Sequence, residues 1–294
     1  MNNIFKGAGV ALVTPFNDDK TIDFDGLRKL VRLQIEGKTD FLVVQGTTGE
    51  SPTLTWEEKI QILETVIAEN NGKLKIVFGV GGNNTLAVGE LLKKVPVGVD
   101  GILSVSPYYN KPTQKAIIEH YKYLASCTNL PIILYNVPGR TGSNVLPATT
   151  LELASTVDNI VAVKEASGNM EQIMEIIRLK PAGFDVLSGD DPITLPLIAT
   201  GAVGVISVVN NALPELFNEM VHDCLAGNFE KAKPVHLDLL PITRMFFEEG
   251  NPAGVKVALS ERGIIKNNLR APLLPVSNDL TNRIKSELRK LLNV

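Results

Sequence analysis

Residues 159–168 read Asn159-Ile-Val-Ala-Val-Lys-Glu-Ala-Ser-Gly168. The apolar run that starts at Ile160 is rich in β-branched residues, which is typical of a strand buried in a parallel sheet. The run ends directly in Lys164, and a Ser-Gly turn follows it. The stretch therefore predicts a buried strand with a lysine at its carboxyl end.

Two explanations account for Lys164. An ammonium group that leaves water loses solvation energy unless it is paired, and its usual response is to lose the proton. A neutral lysine amine attacks carbonyl compounds, so one interpretation is a Schiff-base lysine. The other is a structural ion pair between Lys164 and Glu165 or another carboxylate. The stretch by itself is compatible with both.

Composition indicates an ordinary globular protein. The chain has 294 residues, of which 44% are hydrophobic and 21% charged, and its net charge is -3. This length suits one large domain, or a large domain with a small appendage. No cluster of Lys and Arg indicates a nucleic-acid partner. Cys127 and Cys224 lack the spacing of a metal site, so we expect reduced core thiols and a cytosolic compartment.

Neither an export signal nor a membrane segment is expected. Residues 1–10 lack a basic region followed by an apolar one. The segment from Pro192 to Pro214 carries no charge and superficially meets the length of a membrane span. Proline, glycine and asparagine interrupt it, so a short helix followed by a buried strand explains it better.

Strand-like runs recur along the chain with helical patterns between them. Successive runs begin about 20–35 residues apart, which is the length of a βα unit. This alternation predicts a (β/α)8 TIM barrel, with an open doubly wound sheet as the alternative. The eight runs are Gly9–Pro15, Asp40–Gly46, Lys75–Gly81, Asp100–Ser106, Pro131–Asn136, Ile160–Glu165, Phe184–Ser188 and Val203–Val209.

The strand pattern stops after Pro214. Residues 214–226 predict the eighth helix, with proline in its first turn and Gly227 at its carboxyl cap. We therefore assign residues 1–226 to the (β/α)8 barrel and residues 227–294 to a small C-terminal helical domain. Five prolines are expected to break the helices of that domain: Pro234, Pro241, Pro252, Pro272 and Pro275.

Polar residues follow most of the predicted strands. In a barrel the carboxyl ends of the strands carry the chemistry. The polar groups at these ends are Gly46-Thr-Thr-Gly-Glu-Ser51, Ser106-Pro-Tyr-Tyr-Asn110, Tyr135-Asn136, Arg140, Lys164, Ser188-Gly-Asp-Asp191 and Ile206-Ser207.

Each group also has a structural explanation. The Gly46–Gly49 turn is either a tight turn into a helix or a site where Thr47 and Thr48 bind a carboxylate. Tyr135 is either a core tyrosine or a member of a proton relay. Arg140 is either a solvated surface charge or a bidentate ligand for a substrate carboxylate.

Metal and histidine chemistry are not favoured. Asp190 and Asp191 could bind a metal, but no histidine or third carboxylate accompanies them, and capping of the following helix explains them better. The histidines lie in helix-like segments away from the strand ends, so we expect none of them to be catalytic. They are His120, His222 and His236.

Taken together, these motifs resemble the dihydrodipicolinate synthase family, which belongs to the pyruvate-dependent class I aldolases. The resemblance runs through the whole barrel, and residues 251–259 resemble the helical tail of the family. The motifs are Gly46-Thr-Thr-Gly-Glu-Ser51, Pro107-Tyr-Tyr-Asn110, Tyr135-Asn-Val-Pro-Gly-Arg-Thr-Gly142, Val163-Lys-Glu-Ala-Ser167, Ser188-Gly-Asp190 and Gly204-Val-Ile-Ser207.

The resemblance implies condensation of pyruvate with aspartate 4-semialdehyde in the diaminopimelate route to lysine, with no metal or organic cofactor. It implies that Lys164 forms the Schiff base with pyruvate and that Tyr135 is the general acid and base. Thr47 would relay the proton, and Tyr109 would be supplied by a neighbouring subunit of a homotetramer. The implied substrate-binding residues are Thr48, Arg140, Gly189 and Ile206.

Two alternatives to this activity stay open. N-acetylneuraminate lyase and related sugar-acid aldolases share the Schiff-base lysine, and Arg140 is the residue that favours a short carboxylated aldehyde over a sugar. The second alternative is a non-enzymatic binding or regulatory barrel, whose mark would be the loss of Lys164 or Tyr135; both are present.

The sequence departs from the lysine-inhibited members of the family. Trp56 and Lys59 stand where those members carry polar helix residues, and Ala87 stands where they carry a glutamate, while Asn83 and Tyr108 are kept. Without that carboxylate the ammonium group of lysine loses its partner. We therefore expect weak or absent inhibition by lysine.

Overall fold

The computed structural model describes residues 4–293. Its eight strands are all parallel and close into a barrel in the order β1 to β8. This order confirms the TIM barrel prediction and excludes the open sheet. The strands are β1 (Gly7–Ala11), β2 (Phe41–Val44), β3 (Lys75–Gly79), β4 (Gly101–Val105), β5 (Ile132–Asn136), β6 (Ile160–Glu165), β7 (Asp185–Ser188) and β8 (Gly204–Ser207).

Helices connect the strands and form the C-terminal region. They are α1 (Phe24–Glu36), α2 (Trp56–Asn70), α3 (Thr85–Leu92), α4 (Gln114–Ser126), α5 (Pro138–Thr141), α6 (Pro147–Thr156), α7 (Met170–Leu179), α8 (Thr194–Ala199), α9 (Pro214–Leu225), α10 (Phe229–Glu248), α11 (Ala253–Glu261) and α12 (Asn278–Leu292). Within residues 4–293, no helix is both long and apolar enough to cross a lipid bilayer.

The helix starts follow local sequence chemistry. At α2, the Thr55 side chain accepts a hydrogen bond from Glu58 N while the Glu58 side chain accepts one from Thr55 N, which completes a capping box. At α4, Thr113 accepts from Ala116 N. Helix α9 begins at Pro214, and Gly227, one residue beyond its capping residue Ala226, takes a left-handed φ of 82°.

Contacts divide the chain into two compact units. The first comprises residues 4–6 and Lys75–Ile206, with strands β3 to β7 and most of β8. The second comprises Gly7–Leu74 and residues 207–293, with β1, β2 and the C-terminal helices. The assignment of residues 1–226 and 227–294 to a barrel and a helical domain stays a prediction.

One prediction about the C-terminal region is wrong. Pro234 and Pro241 do not break the chain but lie inside the single helix α10. A proline removes one backbone hydrogen bond from a helix, and tertiary packing can offset that loss. Helix α10 buries one side along its length, including Ala232, Leu239 and Phe246, and this burial maintains the helix through both prolines.

Three further expectations differ in outcome. Both cysteines are free, but only Cys224 is buried, whereas Cys127 is half-exposed at the end of α4. Residues 192–214 contain helix α8 and strand β8, as the sequence indicated. The expectation that residues 1–10 carry no export signal rests partly on residues 1–3, which lie outside the described residues.

Candidate active site

Lys164 lies at the carboxyl end of β6, in register with Tyr135 on β5 and with Leu187 on β7. Its side chain is only 6% exposed, and its Nζ lies 4.4 Å from the centroid of the Tyr135 ring. No carboxylate of the described residues forms an ion pair with it. The structural ion pair is therefore excluded within this part of the chain, and the amine is held against an aromatic ring.

Glu165, the nearest carboxylate in sequence, is bound elsewhere. It is fully buried and accepts hydrogen bonds from Asn136 Nδ2 at 3.0 and 3.2 Å and from Gln172 Nε2 at 2.9 Å. The backbone N–H of Ser167 donates a further bond at 3.0 Å. Because successive residues of a strand point to opposite faces, this network fixes the end of β6 from the face opposite to Lys164.

Burial raises the pKa of Glu165, although hydrogen bonds from Gln172, Asn136 and Ser167 oppose the shift. An unpaired buried carboxylate is costly, and hydrogen bonds are what make such a group tolerable. Asn136 also accepts a bond from Val145 N at 3.0 Å, so the same network joins the ends of β5 and β6. Sequence reasoning named Glu165 only as a partner for Lys164 and missed this role.

Gly189 lies directly against the Lys164 side chain. A Cβ atom at Gly189 would lie 3.0 Å from Lys164 Cε and 2.7 Å from Ala166 Cβ, so no larger residue fits without displacement. Its N–H donates to Glu165 O at 2.7 Å, which leaves the carbonyl as the main-chain group available to a ligand. Ile206, the other residue expected near the lysine, is buried in β8.

Arg140 lies in α5, the single helical turn after β5. The residue is exposed, and no carboxylate of the described residues forms an ion pair with it. Both interpretations of Arg140, a solvated surface charge and a ligand for a substrate carboxylate, therefore stay predictions.

Tyr109 is hydrogen-bonded to α5, the helical turn that also contains Arg140. Its N–H donates to Thr141 O at 3.2 Å, and its φ is 74°, a left-handed conformation that is unusual for a residue with a large side chain. The side chain is 87% exposed. A strained backbone that presents an exposed aromatic ring is typical of a functional position.

Asp190 does not cap a helix with its side chain. It occupies the residue before the turn Asp191–Ile193, but its carboxylate makes no capping bond, and Ile193 precedes α8. Its main-chain oxygen accepts bonds from Ser188 Oγ and Thr194 Oγ1, and its main-chain N–H donates to Ser188 Oγ at 3.2 Å. For Asp190 the capping expectation is wrong, because the chain inserts this extra turn before α8. Among the described residues, no cluster of histidine, cysteine and acidic side chains has the composition of a metal site.

The second unit contains the loop Gly46–Ser51. Thr47–Gly49 form a short 3₁₀ turn. Asn251 Nδ2 donates to Thr48 Oγ1 at 3.0 Å, and Thr14 Oγ1 donates to Gly49 O at 2.6 Å. The Thr48 hydroxyl thus keeps its own hydrogen free to donate elsewhere.

A buried ion pair supports this loop, and sequence reasoning missed it. Lys256 and Glu50 are both fully buried, with Nζ 2.5 Å from Oε1. Lys256 also donates to Thr14 O and Asn268 O at 2.7 Å, while Glu50 Oε2 accepts from Arg270 N at 3.0 Å. The available indication was a lone lysine within the apolar run of residues 253–259.

All three histidines lie in helices, as expected. His120 is buried in α4 and contacts Thr85 Oγ1 at 2.8 Å, while His222 in α9 contacts Asp40 Oδ2 at 2.8 Å. His236 is buried in α10.

A closed parallel barrel whose sixth strand ends in a buried lysine, with no acidic partner among residues 4–293, is the arrangement expected of a barrel enzyme that works through an amine. A sequence profile described as the dihydrodipicolinate synthetase family matches residues 4–291. The chain belongs to this family.

Individual relatives agree. The chain is 52% identical to the 4-hydroxy-tetrahydrodipicolinate synthase of Parabacteroides distasonis over 97% of both chains. It is 40% identical to the solved dihydrodipicolinate synthase of Thermotoga maritima, with a TM-score of 0.97 over 99% of this chain and 100% of the other. A structure described as the first monomeric dihydrodipicolinate synthase variant is 40% identical, with a TM-score of 0.95 over 98% and 97%.

Proposed function

We infer that this chain is a lyase of the class I aldolase type that condenses pyruvate with L-aspartate 4-semialdehyde in the diaminopimelate route to lysine. The observation that carries the inference is the buried amine of Lys164, which lies 4.4 Å from the Tyr135 ring centroid and has no acidic partner among the described residues. The relative from P. distasonis is named for this activity, and the alignment with it covers 97% of both chains.

The first half of the reaction forms a Schiff base. The Lys164 amine attacks the ketone carbon of pyruvate, water leaves, and an iminium ion results. The iminium withdraws electrons and acidifies the adjacent methyl group, whose proton passes to a base. Tyr135 is the proposed acid and base because its ring lies beside the Lys164 amine. Thr47 and Tyr109 are assigned to the same proton relay by family resemblance.

The second half forms the carbon–carbon bond. The resulting enamine attacks the aldehyde carbon of the semialdehyde, and the aldehyde oxygen takes a proton. The amino group of the new adduct then attacks the iminium carbon, so the ring closes and the C–N bond to Lys164 breaks. These steps need no external oxidant, metal or organic cofactor.

Substrate binding is assigned to four residues and to the main-chain amide of Thr47. Thr48 and the Thr47 amide are proposed to bind the pyruvate carboxylate, and the available Thr48 hydrogen supports this role. Arg140 is proposed to bind the carboxylate of the semialdehyde, since its guanidinium has no acidic partner within residues 4–293. Main-chain groups of Gly189 and Ile206 are proposed to line the lysine pocket, as the contact between Gly189 and Lys164 supports.

The site assignment is tested by trapping the iminium. Borohydride reduces an iminium to a stable secondary amine, so pyruvate and borohydride should add one pyruvate-derived mass, mapped to the peptide containing Lys164. Lys164→Ala should remove the adduct, and Lys115→Ala, which removes an exposed lysine, should retain it. An adduct on another lysine, or none in the wild type, would refute the assignment.

The aldehyde partner is tested separately. Turnover of pyruvate with aspartate 4-semialdehyde supports the proposal, while turnover only with N-acetylmannosamine would favour the lyase alternative. A protein that traps pyruvate but turns over neither aldehyde would contradict the proposed second substrate.

Assembly and location complete the proposal. We propose a cytoplasmic homotetramer in which Tyr109 completes the site of a neighbouring subunit, as its exposed ring supports. Light scattering after size-exclusion chromatography tests the assembly. A monomer with full activity would contradict the role of Tyr109 in a neighbouring site.

A further inference from the structure

Four side chains around the carboxyl ends of β5 and β6 form a closed ring of hydrogen bonds, the amide–carboxylate ring. Asn136 Nδ2 donates to Asn144 Oδ1 at 2.8 Å, and Asn144 Nδ2 donates to Gln172 Oε1 at 2.8 Å. Gln172 Nε2 donates to Glu165 Oε2 at 2.9 Å, and a bond from Asn136 Nδ2 to Glu165 Oε1 at 3.0 Å closes the ring. Three of the four residues are buried, and Asn144 is half-buried.

Glu165 sets the direction of every bond in the amide–carboxylate ring. The groups that hydrogen-bond to its carboxylate are Asn136 Nδ2, Gln172 Nε2 and Ser167 N, and all three are donors. An ionised carboxylate only accepts, so Gln172 presents its nitrogen to Glu165 and its oxygen to Asn144. The orientation of each amide therefore follows from the position of the one carboxylate.

The main chain fixes the orientation of Asn136 as well. Its Oδ1 accepts from Val145 N at 3.0 Å, which closes the loop of residues 137–144 that contains Arg140. An amide turned the other way would place Nδ2 against this N–H, and two donors repel each other. A carboxylate at the same position, by contrast, would still accept from Val145 N.

The amide–carboxylate ring lies one register position beyond the reactive pair. Tyr135 is paired with Lys164, and the next pair in the ladder is Asn136 and Glu165. No hydrogen bond joins the side chains of Lys164 and Tyr135, which are both among the described residues. Their spacing therefore depends on how the two strand ends are held, and the bond from Asn136 to Glu165 ties these ends together.

We propose that the amide–carboxylate ring positions Tyr135 for proton transfer from the pyruvate methyl group on Lys164, with Asn136 and Glu165 as positioning residues. This inference rests on the proposed function, because it assumes that Lys164 forms the iminium. Proton transfer requires donor and acceptor at hydrogen-bonding distance, so a small displacement of one strand end lowers its rate. The ring acts through the spacing of β5 and β6 and touches neither substrate.

One pair of substitutions distinguishes this role from simple stability. Asn136→Asp alone places two carboxylates about 3 Å apart, and their repulsion should separate the strand ends. Adding Glu165→Gln leaves one carboxylate, now at position 136. The new amide at position 165 donates to position 136 and to Gln172, and the amides of Gln172 and Asn144 turn round. Each bond of the ring keeps its two residues and exchanges its donor.

The reaction to follow is exchange of the pyruvate methyl protons with D2O, measured by NMR without any aldehyde. This exchange requires only iminium formation and proton transfer, and borohydride trapping counts the sites that form the iminium. Per trapped site, Asn136→Asp should lower kcat for exchange about tenfold or more. KM for pyruvate should change less than about threefold, because the groups assigned to its carboxylate follow β2 and are not members of the ring.

The second substitution should restore the rate. Asn136→Asp/Glu165→Gln should exchange within about threefold of the wild type. Glu165→Gln alone should slow exchange less than Asn136→Asp does, since the amide at position 165 still accepts from Asn136 and Ser167. If the ring only stabilised the fold, the trapped sites of all three variants would exchange at the wild-type rate.

Asn159→Asp is the matched control at the opposite end of β6. Asn159 Nδ2 donates to Ala125 O at 3.1 Å and to Thr128 O at 2.9 Å, and the substitution replaces this donor with a carboxylate. It should lower the free energy of unfolding in urea while exchange stays within about twofold of the wild type. A loss of stability by itself would then be shown not to slow proton transfer.

The outcomes separate the positioning role from the proposed function. Wild-type kcat in Asn136→Asp, or no recovery in the double variant, would overturn the positioning role. If Asn136→Asp does not fold, the double variant decides, and a double variant that is unfolded or slower than Glu165→Gln would overturn it. A wild type that neither traps pyruvate nor exchanges its protons would overturn the proposed function itself. Exchange without turnover of aspartate 4-semialdehyde would overturn only the second substrate.

Discussion

The Nζ of Lys164 lies 4.4 Å from the centroid of the Tyr135 ring, and the two residues are paired in register across β5 and β6. The neighbouring pair in the same ladder is Asn136 and Glu165, which are joined by hydrogen bonds. At the carboxyl ends of β5 and β6, the two faces of the sheet therefore carry different groups. One face carries the amine of Lys164 and the phenol of Tyr135, and the other carries the hydrogen-bond network of Asn136 and Glu165.

Substitution of Gly189 should disturb Lys164. Gly189→Ala would place a methyl group 3.0 Å from Lys164 Cε and 2.7 Å from Ala166 Cβ. Crowding of this kind costs about 1–3 kcal/mol of unfolding free energy, and we expect kcat to fall about tenfold or more because the amine is displaced. Steady-state kinetics and urea denaturation measure the two effects. Gly139→Ala, where a Cβ has open space, is the control, and equal behaviour of both variants would contradict the prediction.

The buried amide group of Gln45 should lower the free energy of unfolding of the unliganded protein. Gln45 is 4% exposed, and neither its amide nitrogen nor its amide oxygen has a hydrogen-bond partner among residues 4–293. Gln45→Met keeps the length and removes the amide, so it should raise the free energy of unfolding by about 1–3 kcal/mol. Urea denaturation of the unliganded protein measures the change.

Gln34 is the matched control for Gln45. It is fully buried, but its Nε2 donates to Asn211 O at 3.2 Å and its Oε1 accepts from Thr39 Oγ1 at 2.9 Å. Gln34→Met should therefore lower stability. A loss of stability in Gln45→Met as well would show that its amide has a polar partner in solution.

The buried pair of Lys256 and Glu50 should be costly to break from one side. Lys256→Met leaves the Glu50 carboxylate buried without its cation, which costs about 3–5 kcal/mol. Because the pair fixes the loop that carries Thr47 and Thr48, KM for pyruvate should also rise. The double variant Lys256→Met/Glu50→Leu should recover part of the stability, and a double-mutant cycle measures the coupling. Purely additive losses would contradict this prediction.

His120 should make the protein less stable in mild acid. Burial lowers the pKa of His120 to about 4 from an ordinary value of 6.5. Between these two pKa values the imidazole is protonated in the unfolded chain but neutral in the folded protein. The contribution of His120 to the free energy of unfolding is therefore fully present above pH 6.5 and is lost as the pH falls toward 4. The full loss is about 3 kcal/mol. Urea denaturation between pH 4 and 7.5 should show a smaller loss in His120→Gln than in the wild type.

His222 provides a comparison of opposite sign. The hydrogen bond to Asp40 raises the pKa of His222, so its contribution is present below pH 6.5 and is lost as the pH rises through the folded pKa. His222→Gln should therefore reduce stability more at low pH than at high pH. The same slope in both variants would contradict these assignments.

Inhibition by lysine should be weak or absent. Ala87 provides no carboxylate, and Lys59 adds a positive charge, so the positions that bind lysine in inhibited members of the family offer its ammonium group no partner. Activity measured over increasing lysine should show no half-inhibition at micromolar concentrations. Ala87→Glu with Lys59→Ala is the variant expected to gain sensitivity, and micromolar inhibition of the wild type would refute the prediction.

The sequence by itself determined the class of fold and the position of the lysine. Apolar runs of strand length at βα spacing specify a parallel barrel, because such strands must be covered by helices on one side. Helix starts such as Thr55 and Thr113 were also predictable, since capping depends on residues only three positions apart.

Tertiary structure decided which partner each polar group has. Lys164 and Glu165 are adjacent in sequence, yet the strand directs them to opposite faces, and Glu165 bonds to Asn136 and Gln172 instead. The pairing of Glu50 with Lys256 joins residues 206 positions apart, and no local pattern encodes it. Local propensity and periodicity act over a few residues, whereas desolvated polar groups take whichever partner the folded chain brings within hydrogen-bonding distance.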